Sequence, residues 1–213
     1  DLHSFPTRRS SDLYSCPGPL GPDAIRAIWR EILSASLALE HPLPVAYLGP
    51  PGTFTHQAAT RRFGSSAQLL AVRTIAEIFD EVERGRAEFG VVPVENSTDG
   101  AVNVTLDRLI DSDVTITGEM TLDITQHLIS QASELGEVKM VCSHPQGLAQ
   151  CRGWLATHLP EAVTEETPST AAAVERARDD ATVAAIASDM AAQVHGVPIL
   201  RSRIEDNPAN SNE

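Results

Sequence analysis

Between Val45 and Ile204 short apolar runs alternate with segments of helical spacing, and this alternation limits the possible folds more than any other property of the chain. Candidate strands are Val45–Leu48, Gln68–Val72, Phe89–Val92, Val114–Ile116, Leu122–Ile129, Val138–Cys142, Ala162–Thr164, Val183–Ile186 and Ile199–Ile204. Candidate helices open near Thr55, Thr74, Ala101, Pro145, Ser169 and Ser188. Strands separated by helices of about ten residues build βαβ units, so the expectation is an α/β fold with a mostly parallel sheet. The β-branched stretch from Val114 to Thr125 is long and extended, which suits a connection between two lobes.

Ahead of this region, Ile25, Ile28, Trp29, Ile32, Leu33 and Leu37 follow the spacing of one helix face, and His41-Pro42 ends it. A single amphipathic helix is marginal in water, so its apolar stripe is expected to pack on the following domain or on another chain. The first thirteen residues have no period of either kind. Residues 1–21 therefore read as a disordered, artefact-like segment and are set aside from the fold.

A formal net charge of −13, with no Lys/Arg-rich block, argues against nucleic-acid or anionic-membrane binding through a basic surface. A small anionic ligand would have to be held by local dipoles. No apolar run approaches the length of a membrane span, and no signal-peptide pattern is present. Cys16, Cys142 and Cys151 show no paired spacing, which fits a reducing cytoplasm. The histidines lack ligand spacing such as H-E-x-x-H, so no metal is expected.

Four polar clusters follow apolar runs. Pro93-Val94-Glu95-Asn96-Ser97-Thr98-Asp99-Gly100 gathers a carboxylate, a carboxamide and two hydroxyls at a strand-to-helix corner, where ligands bind in open α/β sheets. A capped turn would use the same residue types. Gly49-Pro50-Pro51-Gly52-Thr53 can turn backbone N–H groups toward an anion at a helix start, although it matches neither a Walker A loop nor a dinucleotide fingerprint. Ser143-His144-Pro145-Gln146 opens a helix on which Gln146 and Gln150 share a face. No G-x-S-x-G elbow accompanies it, so serine hydrolysis is not indicated. Thr167-Pro168-Ser169-Thr170 is a further polar cap, and Ile204 to Glu213, on residue types alone, reads as a frayed terminus.

In this order and spacing the clusters resemble the prephenate dehydratase domain, through Val45-Ala46-Tyr47-Leu48-Gly49-Pro50-Pro51-Gly52-Thr53-Phe54, Pro93-Val94-Glu95-Asn96-Ser97, Ser143-His144-Pro145-Gln146 with Gln150-Cys151, and Ile204-Glu205-Asp206-Asn207. The resemblance runs from about Pro44 to Asn210. Residues 22–42 look like the final helix of the chorismate mutase domain that often precedes this dehydratase. The rest of that mutase and the regulatory ACT domain are not in the sequence, so mutase activity is not expected.

The resemblance implies a cytoplasmic homo-oligomeric enzyme that converts prephenate to phenylpyruvate, carbon dioxide and water without a cofactor. It also implies two α/β lobes with a central cleft, similar to type II periplasmic binding proteins and preceded by the one amphipathic helix. Residues 44–120 plus 200–213 would form one lobe and 121–199 the other. Carried over by resemblance, Asn96, Ser143 and Gln150 are the catalytic set. Thr53, Ser97, Thr98, His144, Ser169, Thr170 and Asn207 would bind substrate. A non-catalytic two-lobed binder of a small carboxylate, or a dehydratase acting on arogenate, shares these features.

The family continues after Glu-Asp-Asn into a Thr-Arg-Phe motif that supplies the acid and a substrate-binding arginine. Here Asn207 is followed by Pro208-Ala209-Asn210-Ser211-Asn212-Glu213. General acid catalysis contributes roughly 10²–10⁴ in rate. Phenylpyruvate formation by the 213-residue chain is therefore expected to fall at least 10²-fold below that of a chain continued through Thr-Arg-Phe; equal turnover would refute this.

Overall fold

The computed structural model describes residues 19–96, 100–207 and 211–212, the last two by their backbone alone. The readings made for residues 1–18 and for Ser97 and Thr98 lie outside the described residues.

Helix α1 (Pro22–Glu40) starts with a proline where the missing N–H costs nothing. It docks through a polar face. Arg30 donates to the Arg61 carbonyl at 2.9 Å, Glu31 accepts from the Ser65 N–H and hydroxyl, and buried Ser34 sits where a Cβ on Gly64 would come within 2.5 Å. Ile28, Trp29, Ile32 and Leu33 consequently remain about half exposed. The expected stripe thus meets the following domain only at its end, where Leu37 lines a small cavity with Leu43 and Phe63, and the rest of it is left for the other expected partner, a second chain. The surface met by α1 is a helix end rich in exposed polar groups, and it selects the Arg30/Glu31/Ser34 face.

A first sheet has the order β2-β1-β3, all parallel, formed by β1 (Pro44–Leu48), β2 (Gln68–Val72) and β3 (Phe89–Val91). The central strand buries Val45, Ala46 and Tyr47. Helices α2 (Phe54–Phe63) and α3 (Ile75–Glu83) make the crossovers, each opened by a threonine, Thr53 or Thr74, whose hydroxyl accepts a backbone N–H. Gly90 lets α3 approach, because a Cβ there would lie 2.5 Å from Ile78 Cγ2.

The chain then forms two short strands, β4 (Glu95–Asn96) and β5 (Gly100–Ala101), and helix α4 (Asn103–Asp111). Residues 112–121 run without a ladder partner, so the strand expected at Val114–Ile116 is not formed; Ile116 is exposed there. β-Branched residues favour extended backbone, but a strand also needs a neighbour. The single strand expected over Leu122–Ile129 is split into β6 (Leu122–Asp123) and β7 (His127–Ile129), since the chain changes sheets between them.

The second large sheet has the order β11-β7-β10-β8-β9. Its other strands are β8 (Met140–Ser143), β9 (Val163–Glu166), β10 (Val183–Ala187) and β11 (Ile199–Arg201). β10 pairs parallel to β8, and β8 parallel to β9, as βαβ logic requires; β7 is antiparallel to both β10 and β11. All five residues of β10 are buried between helices α5 (Pro145–Gln150) and α6 (Arg152–His158) in one apolar cluster and α7 (Thr170–Asp179) and α8 (Asp189–His195) in the other.

After β11 the chain leaves this sheet. Strand β12 (Ser211–Asn212) joins a small antiparallel sheet of order β5-β4-β12-β6. The return toward the first sheet therefore comes after β11, because Ile199–Arg201 still pairs with β7.

The frayed reading of the terminus is also corrected for its described part. Ile204 is 1% exposed and packs among Leu128, Leu155 and Ile186. Its N–H donates to the Gln126 carbonyl at 2.8 Å, and the Asp206 N–H donates to the Gln150 carbonyl at 2.8 Å. The Asp206 carboxylate accepts from the N–H groups of Gly153 and Trp154, at 2.7 and 2.9 Å, satisfying donors in the first turn of α6. Truncating a buried side chain of this size costs about 2–5 kcal/mol. Urea unfolding of Ile204→Ala should show a loss in that range; a near-neutral result would mean the segment is not anchored.

Candidate active site

The loops that matter lie at the carboxyl ends of the parallel strands, where an α/β sheet leaves a crevice. After β1, Thr53 closes the Gly49–Gly52 turn. Its hydroxyl donates to the Leu48 carbonyl at 2.8 Å and accepts from the His56 N–H. His56 stacks on Tyr47, with ring centroids 4.9 Å apart, and its Nδ1 accepts from the Gly52 N–H at 3.0 Å. Gly52 has φ +90° and lies so close to α8 that a Cβ would fall 3.0 Å from Ala191 Cα. A side chain is barred there by both backbone conformation and space.

The contact continues in polar groups. Ser188 donates to the Gly52 carbonyl at 3.1 Å while capping α8, and Gln57 donates to the Asp189 carboxylate at 2.8 Å. The carboxyl ends of the two large sheets therefore meet directly, with the N-termini of α2 and α8 at the junction.

Ser143 ends β8. It is fully buried, and its hydroxyl donates to the Ile186 carbonyl on β10 at 2.7 Å. Gly147 leaves room for it, since a Cβ there would approach Ser143 Oγ to 2.5 Å. The hydroxyl that resemblance places in the catalytic set thus donates to β10. The Ser143 carbonyl accepts from the Thr167 N–H, which ties β8 to the turn where Ser169 caps α7 and Thr170 begins it. His144 is exposed and caps its own helix by accepting from the Gln146 N–H at 3.4 Å. Thr53, Ser143, Ser169 and Thr170 all sit along one linked edge, and Ser188, expected only as a helix start, joins them.

A second group is built around Asn96. Asn212 of β12 pairs with Asn96 on one side and with Leu122 on the other. Three residues beyond β6, the buried Gln126 donates its side-chain amide to Gln150 Oε1 at 2.9 Å. The Gln126 N–H donates to Glu205 Oε2 at 2.9 Å. Backbone pairing thus leads from Asn96 to Leu122, and four residues further along the chain Gln126 holds Gln150. Asn207, next after the Asp206 cap, is exposed. Gln126, His56, Glu205 and Asp206 were not singled out from the sequence as site residues. The available signal was two adjacent carboxylates after an apolar run, and a lone amide at the end of a β-branched stretch.

The electrostatics favour an anion held by backbone dipoles. The N-termini of α2, α7 and α8 carry partial positive charge in a protein of net charge −13. Burial pushes the Cys142 thiol up to about 11 and that of Cys151 higher still, so neither is a nucleophile at neutral pH. Among the described residues no group of three His, Cys, Asp or Glu is placed to hold a metal ion. No helix among them is long and apolar enough to cross a membrane.

Burial also lowers the pKa of His56 and His127; for His127 the carboxylates of Asp189 and Glu205 oppose the shift and Arg203 adds to it. The native state then binds fewer protons than the unfolded chain, whose imidazoles titrate near 6.5. The associated stability is complete above that value and is lost as the pH falls through it toward the lower folded values. Urea midpoints should therefore drop between about pH 7.5 and about pH 5.5, and the drop should shrink in a His56→Gln/His127→Gln double variant. An equal drop in both proteins would show that other groups control it.

Comparison with known proteins agrees with this geometry. A family model described as prephenate dehydratase matches residues 45–212. A bifunctional chorismate mutase/prephenate dehydratase from Stutzerimonas stutzeri is 47% identical over 195 residues, covering 91% of this chain and 53% of the relative. The chain spans about half the length of such curated relatives. A prephenate dehydratase from Arthrobacter aurescens, solved in complex with L-Phe, superposes with a TM-score of 0.71 at 33% identity, over 79% of this chain and 58% of that one. A structure titled GqqA, a quorum-quenching acylase, also reaches a TM-score of 0.71, at 29% identity over 79% of this chain and 61% of its own. The matched residues run from the first core strand to the last, and the chain belongs to the prephenate dehydratase family.

Proposed function

We propose that the chain carries the prephenate dehydratase site, a carbon–oxygen lyase acting on prephenate. The observation that carries this reading is the linked edge on which the helix caps at Thr53, Ser169 and Ser188 lie with Ser143. Prephenate has two carboxylates, which suit the capped starts of α2 at Thr53 and α7 at Ser169 and Thr170. Asn96 and the Gln150 amide would donate to the reacting ring.

In the reaction the bond from the ring to its carboxylate breaks and carbon dioxide leaves. The electron pair enters the ring as the bond to the ring hydroxyl breaks, and that hydroxyl departs as water once protonated. The product, phenylpyruvate, is aromatic, so the ring itself supplies the driving force. The protein's tasks are orientation, protonation of the leaving oxygen and exclusion of water from the departing carboxylate. Ser143 serves in this scheme by fixing β8 to β10, and His144 and Asn207 line the approach.

Several features of the wider protein belong to the same proposal: two lobes dividing near residue 121, with the return to the first lobe moved from residue 200 to beyond Asp206, a mutase-type helix at 22–42, a cytoplasmic location and a homo-oligomer. Acyl transfer through Ser143 is disfavoured, because its hydroxyl is buried and already donates to the Ile186 carbonyl.

Incubation with prephenate should release carbon dioxide and form phenylpyruvate; a carboxylate binder would return prephenate unchanged. Asn96→Ala should lower kcat/KM by about 10²–10³, the cost of an oriented donor. Ser143→Ala should instead appear as a loss of about 1–2 kcal/mol in stability, from the orphaned Ile186 carbonyl. If the two variants lost catalysis equally with stability unchanged, Ser143 would have to touch substrate.

A further inference from the structure

We propose that Gln126 is the positioning residue that sets which end of the Gln150 carboxamide faces the substrate, an inference that rests on the dehydratase reading of this site. Gln126 is 2% exposed, and three of its polar groups are fixed. Its N–H donates to Glu205 Oε2, its carbonyl accepts from the Ile204 N–H, and its side-chain nitrogen donates to Gln150 Oε1. The fourth, Oε1, is buried with no hydrogen-bond partner among the described residues. A core position with no other duty would be better filled by an apolar side chain of similar shape, which leaves no buried acceptor unpaired.

The duty follows from the amide chemistry. A carboxamide is an acceptor at one end and a donor at the other, and in isolation it turns freely between the two orientations. Gln126 occupies the Gln150 oxygen, so the Gln150 NH₂ is the end left to point outward as a donor. The same strap fixes both residues, because Asp206 N–H binds the Gln150 carbonyl while Glu205 and Ile204 bind the Gln126 backbone. Gln126 also lies three residues after β6, which reaches Asn96 through β12. The donor polarity of the site is thereby set from inside the protein, and an anionic or hydroxyl-bearing ligand meets N–H groups.

Two substitutions separate this role from a merely structural one. Gln126→Met keeps the shape and removes the orphan acceptor. Its melting temperature should stay within about 3 °C of the parent or rise, while kcat/KM for prephenate falls about tenfold. Gln126→Glu, assayed at a pH where that carboxyl is ionised, offers only acceptors, so Gln150 must turn its NH₂ inward and present oxygen to the substrate; a larger loss is expected. In a Gln150→Ala background neither substitution should cost more than about a further twofold. A lowered melting temperature with the same activity loss on both backgrounds would overturn the proposal, as would Gln126→Met with unchanged kcat/KM.

Side-chain amide exchange measured by NMR gives a test independent of turnover. In the parent the Gln126 carboxamide protons should exchange slowly and those of Gln150 fast. In Gln126→Glu those of Gln150 should become slow. If the parent neither binds nor converts prephenate, the dehydratase reading fails, and this exchange pattern alone decides the positioning role. Equal exchange of the Gln150 protons in parent and Gln126→Glu would refute it.

Discussion

The strap from Ile204 to Asp206 is the constraint on which the rest of the arrangement depends. Within three residues it buries an apolar side chain, supplies a carboxylate to the Gln126 N–H and caps the first turn of α6 with another. The Glu205 side chain is 2% exposed, with the Arg203 guanidinium 3.8 Å away. Charges so placed are stable only when hydrogen-bonded, so the strap and the crossover need each other. Arg203, in the left-handed region at φ +56°, is the turn that makes the geometry possible. A non-glycine residue tolerates that conformation when its surroundings over-determine it, and here the Arg203 N–H reaches His127 Nδ1.

The first turns of α2 and α7 resolve an apparent conflict of charge. The protein is strongly acidic, yet its family acts on a doubly negative acid. Long-range attraction would favour the wrong sign. Helix N-termini act over a few ångströms; Asp189 answers the start of α8 with its own carboxylate, whereas the first turns of α2 and α7 hold no acidic residue and keep a local field that distant charge does not cancel.

Much of the α/β framework was legible in the sequence because its strands are apolar runs punctuated by caps. Gln68–Val72 agrees to the residue, and Ser169 and Ser188 cap helices where the sequence placed their starts. Legibility failed where pairing is non-local. The two-residue strands β4, β5 and β12 have no periodicity to detect, and Val114–Ile116 has strand composition without a neighbour. For the site, residue types identified the loops but not the direction of each hydrogen bond. Resemblance places Ser143 in the catalytic set, whereas its hydroxyl donates to the Ile186 carbonyl. Gln126 passed unnoticed because an isolated glutamine has no motif, and its importance comes from partners 24 and 79 positions away.

Docking α1 through Arg30, Glu31 and Ser34 leaves one of the two tryptophans, Trp29, half in water on the bare side of that helix. The other, Trp154, stacks on His158 with centroids 4.4 Å apart, in the helix capped by Asp206. The two indoles thus occupy different optical environments, one on the leading helix and one on α6. Emission from Trp29 reports whatever covers or uncovers the leading helix, while the partly shielded Trp154 reports the integrity of the terminal strap, so each single-tryptophan protein follows a different half of the unfolding process.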